Sequence, residues 1–319
     1  MRALTGLPFD DIRALLERLP PPDEAAADAV RARAAEFVAS PNGLGRLTGI
    51  AEWLAGWQSR APAVNRPSIV LFAASHGAGP DDSVPRVRAR LEAASAGTAA
   101  INRLCLAADA GLKAIDLAVD VPVPDVRVED AFDEAGCAAT IAFGMEGAAG
   151  GADLLGIADF GVGNQASVAA LAAALFGGTA ADWAEDDLGD AATVLARIEG
   201  THDPLELIRR AGGREIAASL GAILAARFEK IPVLIDGAAA TIAAAALHRL
   251  APPAIAHCRF AQACGPAHRR MLEALRVEPL LDLGLTEGEG TAAALAVPLV
   301  RAAARAHAPL KPAPGRPPV

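Results

Sequence analysis

The chain has 319 residues, 53% of them hydrophobic but only 4% aromatic, with no tyrosine, a net charge of −9 and a pI near 5.2. That length and composition suit one large domain, or a large and a small one, built from helices packed through small side chains. The acidic balance excludes generic nucleic-acid binding, since no basic excess exists to neutralise phosphates, but it leaves room for a local basic pocket. The four cysteines, Cys105, Cys137, Cys258 and Cys264, form no CxxC pair, so reduced thiols in a cytoplasm are expected. Met1-Arg2-Ala3-Leu4 lacks the apolar core of a signal peptide, and charge, Gly or Pro interrupts each alanine run before it could span a bilayer. The expectation is a soluble, cytoplasmic protein with no membrane contact.

In chain order, Phe9, Ile12, Leu15, Leu16 and Leu19 recur at helical spacing and stop at Pro20-Pro21-Pro22. Asp23 to Val38 predicts a second helix, and the turn from Ser40 to Leu47 leads into a third, ending near Trp57. Residues 1–66 therefore predict a helical arm or small domain. At Pro67 the texture changes. The run Ser68 to Ala74 is β-branched and apolar and stops at Ser75-His76-Gly77, as a buried parallel strand does. Similar runs occupy Lys113–Val119, Leu154–Ala158 and Ile231–Ile235, each separated from the next by helix-like sequence. Strands alternating with helices predict an α/β fold with a doubly wound, parallel, Rossmann-like sheet over residues 67–237. Residues 238–308 predict helices that complete the small domain and the site, and the proline-rich tail 309–319 is expected to be poorly ordered.

Polar groups at the predicted strand ends, Ser75, His76, Asp159 and Asp236 with Gly237, fall where such sheets place their ligands. Asp159-Phe160-Gly161-Val162-Gly163-Asn164 joins a strand to a helix, so Gly161, Gly163 and Asn164 make either a phosphate cradle or a tight β-to-α turn. It lacks the third glycine of a dinucleotide fingerprint, and Asn164 or Ser167 could equally act as a cap. Gly288-Glu289-Gly290 sets a carboxylate between two glycines at the mouth of an alanine-rich helix. Glu289 is a candidate general base, although Gly-Glu-Gly also occurs in plain turns. No GxSxG elbow accompanies His76, and a histidine at a strand end is commonly a structural hydrogen-bonding group. His257-Cys258 with Cys264 and His268 only superficially resembles zinc spacing, so no metal is expected.

Taken together, the motifs resemble those of the nicotinate-nucleotide–dimethylbenzimidazole phosphoribosyltransferase family. They include Leu44-Gly45-Arg46-Leu47, His76-Gly77, Ala99-Ala100-Ile101-Asn102, Gly161-Val162-Gly163-Asn164, Gly212-Gly213-x-Glu215, Leu234-Ile235-Asp236-Gly237 and Gly288-Glu289-Gly290-Thr291, in family order. The resemblance implies phosphoribosyl transfer from nicotinate mononucleotide to a benzimidazole-type azole, in cobalamin lower-ligand assembly. It implies Glu289 as the base, a substrate site at Ser75, His76, Asp159, Gly161, Gly163, Asn164, Asp236, Gly237, Gly288 and Gly290, no cofactor, and a homodimer. The chain departs from the family pattern in several places, among them three at the expected site. Ser75 replaces an aspartate, Asp159-Phe160 replaces Glu-Met, and Ala180 to Asp187 replaces a glycine-rich loop followed by a lysine. These departures motivate an alternative: a non-catalytic paralogue that binds a small molecule or partners an active homologue.

Overall fold

The computed structural model describes residues 6–37, 43–185 and 188–307. Its centre is a five-stranded sheet of order β2-β1-β3-β4-β5, parallel throughout. The strands are β1 (Pro67–Ala73), β2 (Gly111–Asp116), β3 (Leu154–Asp159), β4 (Val233–Ile235) and β5 (Cys258–Phe260). Before the sheet come α1 (Phe9–Leu16), α2 (Glu24–Phe37) and α3 (Arg46–Gln58). Helices α4 (Ser83–Ser95) and α5 (Ala100–Ala108) connect β1 to β2, and α6 (Glu134–Met145) connects β2 to β3. Between β3 and β4 lie α7 (Gln165–Phe176), α8 (Ala180–Trp183), α9 (Leu188–Arg197), α10 (Pro204–Ala211) and α11 (Arg214–Phe228). Then α12 (Ala238–Leu250) leads to β5, followed by α13 (Pro266–Ala274) and α14 (Thr291–Ala306).

Alternation along the strands divides the interior into two layers. Val70, Phe72, Leu155, Ile157, Val233 and Ile235 face one layer, built with α6, α7, α11 and α12. Ile69, Leu71, Leu154, Ala158 and Leu234 face the other, built with α3, α4, α5 and α14. The sheet is thus doubly wound, and near-continuous apolarity in β1, β3 and β4 is the mark of strands covered on both sides. Small residues set the spacing. Gly156 of β3 lies under Ala293 of α14, where an added Cβ would stand 3.1 Å from that methyl. Gly144 of α6 and Gly221 of α11 meet the partner helix's backbone with no room for a side chain, so these two helices pack at backbone distance.

The helical layer of α2, α3 and α14 joins N- and C-terminal segments of the chain. Helix α1 instead packs on α6, where Phe9 is fully buried and its N–H donates to Glu134 at 3.0 Å.

Three sequence expectations need correction. The sheet has a fifth strand, β5, within the His257–His268 stretch; at three residues it is too short for any periodicity to declare it. The second strand is Gly111–Asp116, earlier than the apolar run 113–119, and it is half-exposed because it lies at the sheet edge. The first helix stops at Leu16, short of Leu19. The proline-rich tail 309–319 lies outside the described residues, as do Ser40, Pro41, Asp186 and Asp187. Among the described residues, no helix is long and apolar enough to cross a membrane.

Candidate active site

Neighbouring strands β1 and β3 send their connections to opposite faces, which opens a crevice beyond their carboxyl ends. The chain leaves β1 through Ala74-Ser75-His76, and Ser75 and His76 make single bridges to Val162 and Val123. It leaves β3 through Asp159 and the glycine turn. Gly163 has φ 87° and lies on Gly79, where a Cβ on Gly79 would come within 2.6 Å of Gly163 Cα. Two glycines are required at this crossing, one for its backbone angle and both for the close approach.

Under the crevice lies a buried polar knot. His76 Nε2 is 2.9 Å from Glu215 Oε1, and Asn164 Nδ2 donates to the same oxygen at 3.0 Å. Glu215 stands in the first turn of α11, where the helix dipole favours an anion. Burial pushes its carboxyl up, but His76 and Asn164 outweigh burial and hold it below the usual carboxylate range. Gly213 makes room: a Cβ there would collide with the His76 ring and stand 2.5 Å from Glu215 Oε2. Asn164 also approaches Asp159 Oδ2 at 3.4 Å, and that oxygen accepts the Gly161 N–H at 2.8 Å. Burial, and then the charge of Glu215, push the Asp159 carboxyl up to about 7.

The other wall comes from β4 and the start of α14. Asp236 is fully buried, and its Oδ2 accepts the Ala293 N–H at 2.9 Å. Burial lifts its carboxyl to about 7 as well. Next to it, Gly237 (φ 91°) lies against Gly288, and a Cβ on Gly237 would stand 2.9 Å from the Gly288 carbonyl oxygen. This contact pins the segment carrying Glu289 to the end of the sheet. Glu289 faces Arg90 of α4, with Oε1 3.1 Å from Nε. Burial raises the Glu289 carboxyl, Arg90 opposes that rise, and Glu287 adds to it, leaving it above the ordinary carboxylate value.

Asp159, Gly161, Asn164, Gly237, Gly288 and Glu289 therefore line one cavity of about 210 Å³. A second cleft of about 490 Å³ lies on the other side of the glycine turn and shares Arg90, Gly161 and Gln165 with the first. Gly163 lines this second cleft. Ser75, His76, Asp236 and Gly290 stand behind these walls. The Ser75 hydroxyl is buried and donates to the Val119 carbonyl at 2.6 Å. Gly290 caps α14 beneath Leu71 and Ile69. The histidines of the apparent zinc spacing serve different places: His257 bonds the Ile223 carbonyl at 2.9 Å, and His268 bonds Thr241 at 2.8 Å.

A carboxylate of raised basicity in one cavity, paired with an arginine that lines both, suits proton abstraction from a bound reactant. A family model described as a phosphoribosyltransferase matches residues 19–312. The nicotinate-nucleotide–dimethylbenzimidazole phosphoribosyltransferase of Rhizobium johnstonii is 49% identical over 322 residues, covering 96% of this chain and 95% of that protein. The chain belongs to the nicotinate-nucleotide–dimethylbenzimidazole phosphoribosyltransferase family. The Brucella anthropi protein of the same name is 48% identical over 321 residues, covering 95% of each chain. The crystal structure of the Thermus thermophilus protein of that name superimposes with a TM-score of 0.81 at 32% identity, over 89% of this chain and 96% of that one.

Within this phosphoribosyltransferase frame, sequence reasoning missed Arg90, Cys264 and Glu287 on the walls, and quoted Glu215 only as part of a motif. Arg86 and Arg90, four residues apart on α4, were the available signal, but such a pair reads as a solvated helix face.

Proposed function

We propose that the protein transfers the phosphoribosyl group of nicotinate mononucleotide to a ring nitrogen of a benzimidazole-type base, releasing nicotinate and an α-riboside phosphate for cobalamin lower-ligand assembly. The observation that carries this reading is Glu289, held by the Gly237–Gly288 contact in the wall of the smaller cavity and paired with Arg90, which lines both cavities, with its basicity raised by burial. In the step, one azole nitrogen forms a bond to the anomeric carbon. The bond from that carbon to the pyridinium nitrogen breaks, its electrons return to the nicotinate ring, and Glu289 accepts the proton from the other azole nitrogen. Such a base contributes about 10²–10⁴-fold to the rate. The buried knot of His76, Asn164 and Glu215 fixes the glycine turn, and the Asp236–Ala293 bond fixes the start of α14.

The reading includes a homodimer in the cytoplasm, in keeping with the family resemblance; light scattering of the purified protein tests the dimer. Incubation with nicotinate mononucleotide and dimethylbenzimidazole should release nicotinate, followed by mass spectrometry, and Glu289→Gln should remove most of that release. No release, together with no calorimetric binding of either substrate, would refute the enzyme reading.

A second reading, a family-fold protein that binds a small molecule without turnover, draws on two observations. Arg90 occupies the face of Glu289, and Glu185 occupies the start of α13, where it accepts the Ala267 N–H at 2.7 Å. Substrate binding without nicotinate release would favour it.

A further inference from the structure

The two cavities that meet at Arg90 differ in charge. The smaller sets the carboxyl groups of Asp159, Glu287 and Glu289 against the guanidinium of Arg90, a balance that disfavours a phosphate or carboxylate. The larger is lined by Arg86, Arg90 and Arg127 together with the Gly161–Gly163 turn, and Asp190 is its carboxylate. The three guanidiniums are not equally engaged. Arg127 is held by Asp125 and Asp190, each at 2.8 Å. Arg90 is held by Glu289, and its Nη1 donates to the Gly161 carbonyl at 3.3 Å. Arg86, one turn earlier on α4, stands 3.8 Å from Asp82, too far for a hydrogen bond, and its side chain is 51% exposed. A guanidinium fork presents paired donors that match an oxyanion.

Resting on the phosphoribosyl-transfer reading, we propose that this cleft is an oxyanion subsite in which Arg86, supported by Arg90, grips an anionic group of a substrate. The group is the phosphate or pyridine carboxylate of the donor, or a carboxylate carried by the acceptor ring. These three share one chemistry, and the larger cleft sets three guanidiniums against one carboxylate beside the glycine turn, where the smaller cavity has Arg90 against three carboxylates. The subsite would also answer the loss of the family's glycine-rich loop and lysine, by supplying positive charge from a different helix.

The test is Arg86→Gln, which removes the charge and keeps a good helix former on a half-exposed face. Nicotinate mononucleotide is compared with nicotinamide mononucleotide, which lacks the carboxylate, and with nicotinate riboside, which lacks the phosphate. Dimethylbenzimidazole is compared with benzimidazole-5-carboxylate. Losing one charge-assisted hydrogen bond should lower kcat/KM about 10–100-fold, and only for the reactant carrying the bound group. The analogue lacking that group should be indifferent to the substitution, and Arg86→Lys should recover part of the loss. The pattern of losses names the source of the oxyanion. Equal losses for charged and uncharged analogues, or no loss at all, would overturn the subsite. Calorimetry of the same compounds reads the ratio without turnover. Missing nicotinate release therefore defeats the reaction assignment, whereas an unchanged binding ratio in Arg86→Gln defeats the subsite.

Discussion

Arg90 and Glu289 meet at 3.1 Å, with about 29% and 27% of their side chains exposed, where the two cavities join. In this pair Arg90 opposes the rise that burial imposes on the Glu289 carboxyl. Replacing Glu289 by Gln preserves size and hydrogen bonding but removes the proposed proton acceptor. The expected outcome is a fall in kcat of about 10²–10⁴-fold with donor KM little changed. Steady-state nicotinate release measures both, and a variant of near-normal kcat would remove Glu289 from the role of base.

The same pair predicts a pH effect of known sign. As the proposed base Glu289 must act as its carboxylate, so activity should fall as pH drops through its pKa. Burial raises that pKa and Arg90 lowers it. Arg90→Gln withdraws the opposing charge, so the acidic limb of kcat/KM should move to higher pH. A limb that stays in place, or moves down, would show that some other group sets it.

Parts of this site were legible before any coordinates. Four apolar runs, spaced by helix-like sequence, announced a parallel sheet because strands buried on both faces need no alternation. Glu289 stood out because glycines flank it, and Asp159 to Asn164 stood out because they join a strand run to a helix run. What stayed hidden depends on distance in the chain. Arg90 gains meaning only by facing Glu289 across the crevice, and Glu215 only by lying under His76 and Asn164. Strand β5 escaped because its three residues take their identity from hydrogen bonding to β4, which no local pattern encodes.

The knot beneath the glycine turn should be costly to break. Glu215 is fully buried, with His76 and Asn164 both on its Oε1. Glu215→Ala leaves His76 and Asn164 without that partner, and the expected loss is about 3–5 kcal/mol of stability. Because pairing lowers the Glu215 pKa, its contribution is present above the unfolded-state pKa and is lost as pH falls through the folded one. The variant's deficit should therefore narrow in acid, as urea unfolding at several pH values would reveal.

The Gly237–Gly288 crossing offers a steric prediction. An added methyl on Gly288 would collide with Gly237 Cα, and one on Gly237 would stand 2.9 Å from the Gly288 oxygen. Neither backbone can yield easily, since Gly237 begins α12 and Gly288 leads into α14. Gly288→Ala should cost about 1–3 kcal/mol, as overpacking does, and should lower kcat by displacing Glu289. A variant with unchanged melting and full activity would mean that the two segments separate more freely than this contact implies.

Asp236 provides a pH signature opposite in sign to that of Glu215. Its carboxyl is lifted to about 7 from an ordinary value of 3.8 by burial, and Oδ1 has no hydrogen-bond partner. Between those two pH values the folded protein holds a proton that the unfolded chain releases. This contribution is therefore complete below the unfolded pKa and is lost as pH rises through about 7. Asn at this position can still accept the Ala293 N–H and carries no charge to bury. Asp236→Asn should flatten the decline in stability between about pH 4 and 7 and gain on the order of 2 kcal/mol over the native protein at pH 8. Thermal unfolding of the two proteins across that range is the measurement. Parallel curves would mean that Asp236 stays ionised in the folded state, with water or a bound ligand reaching Oδ1.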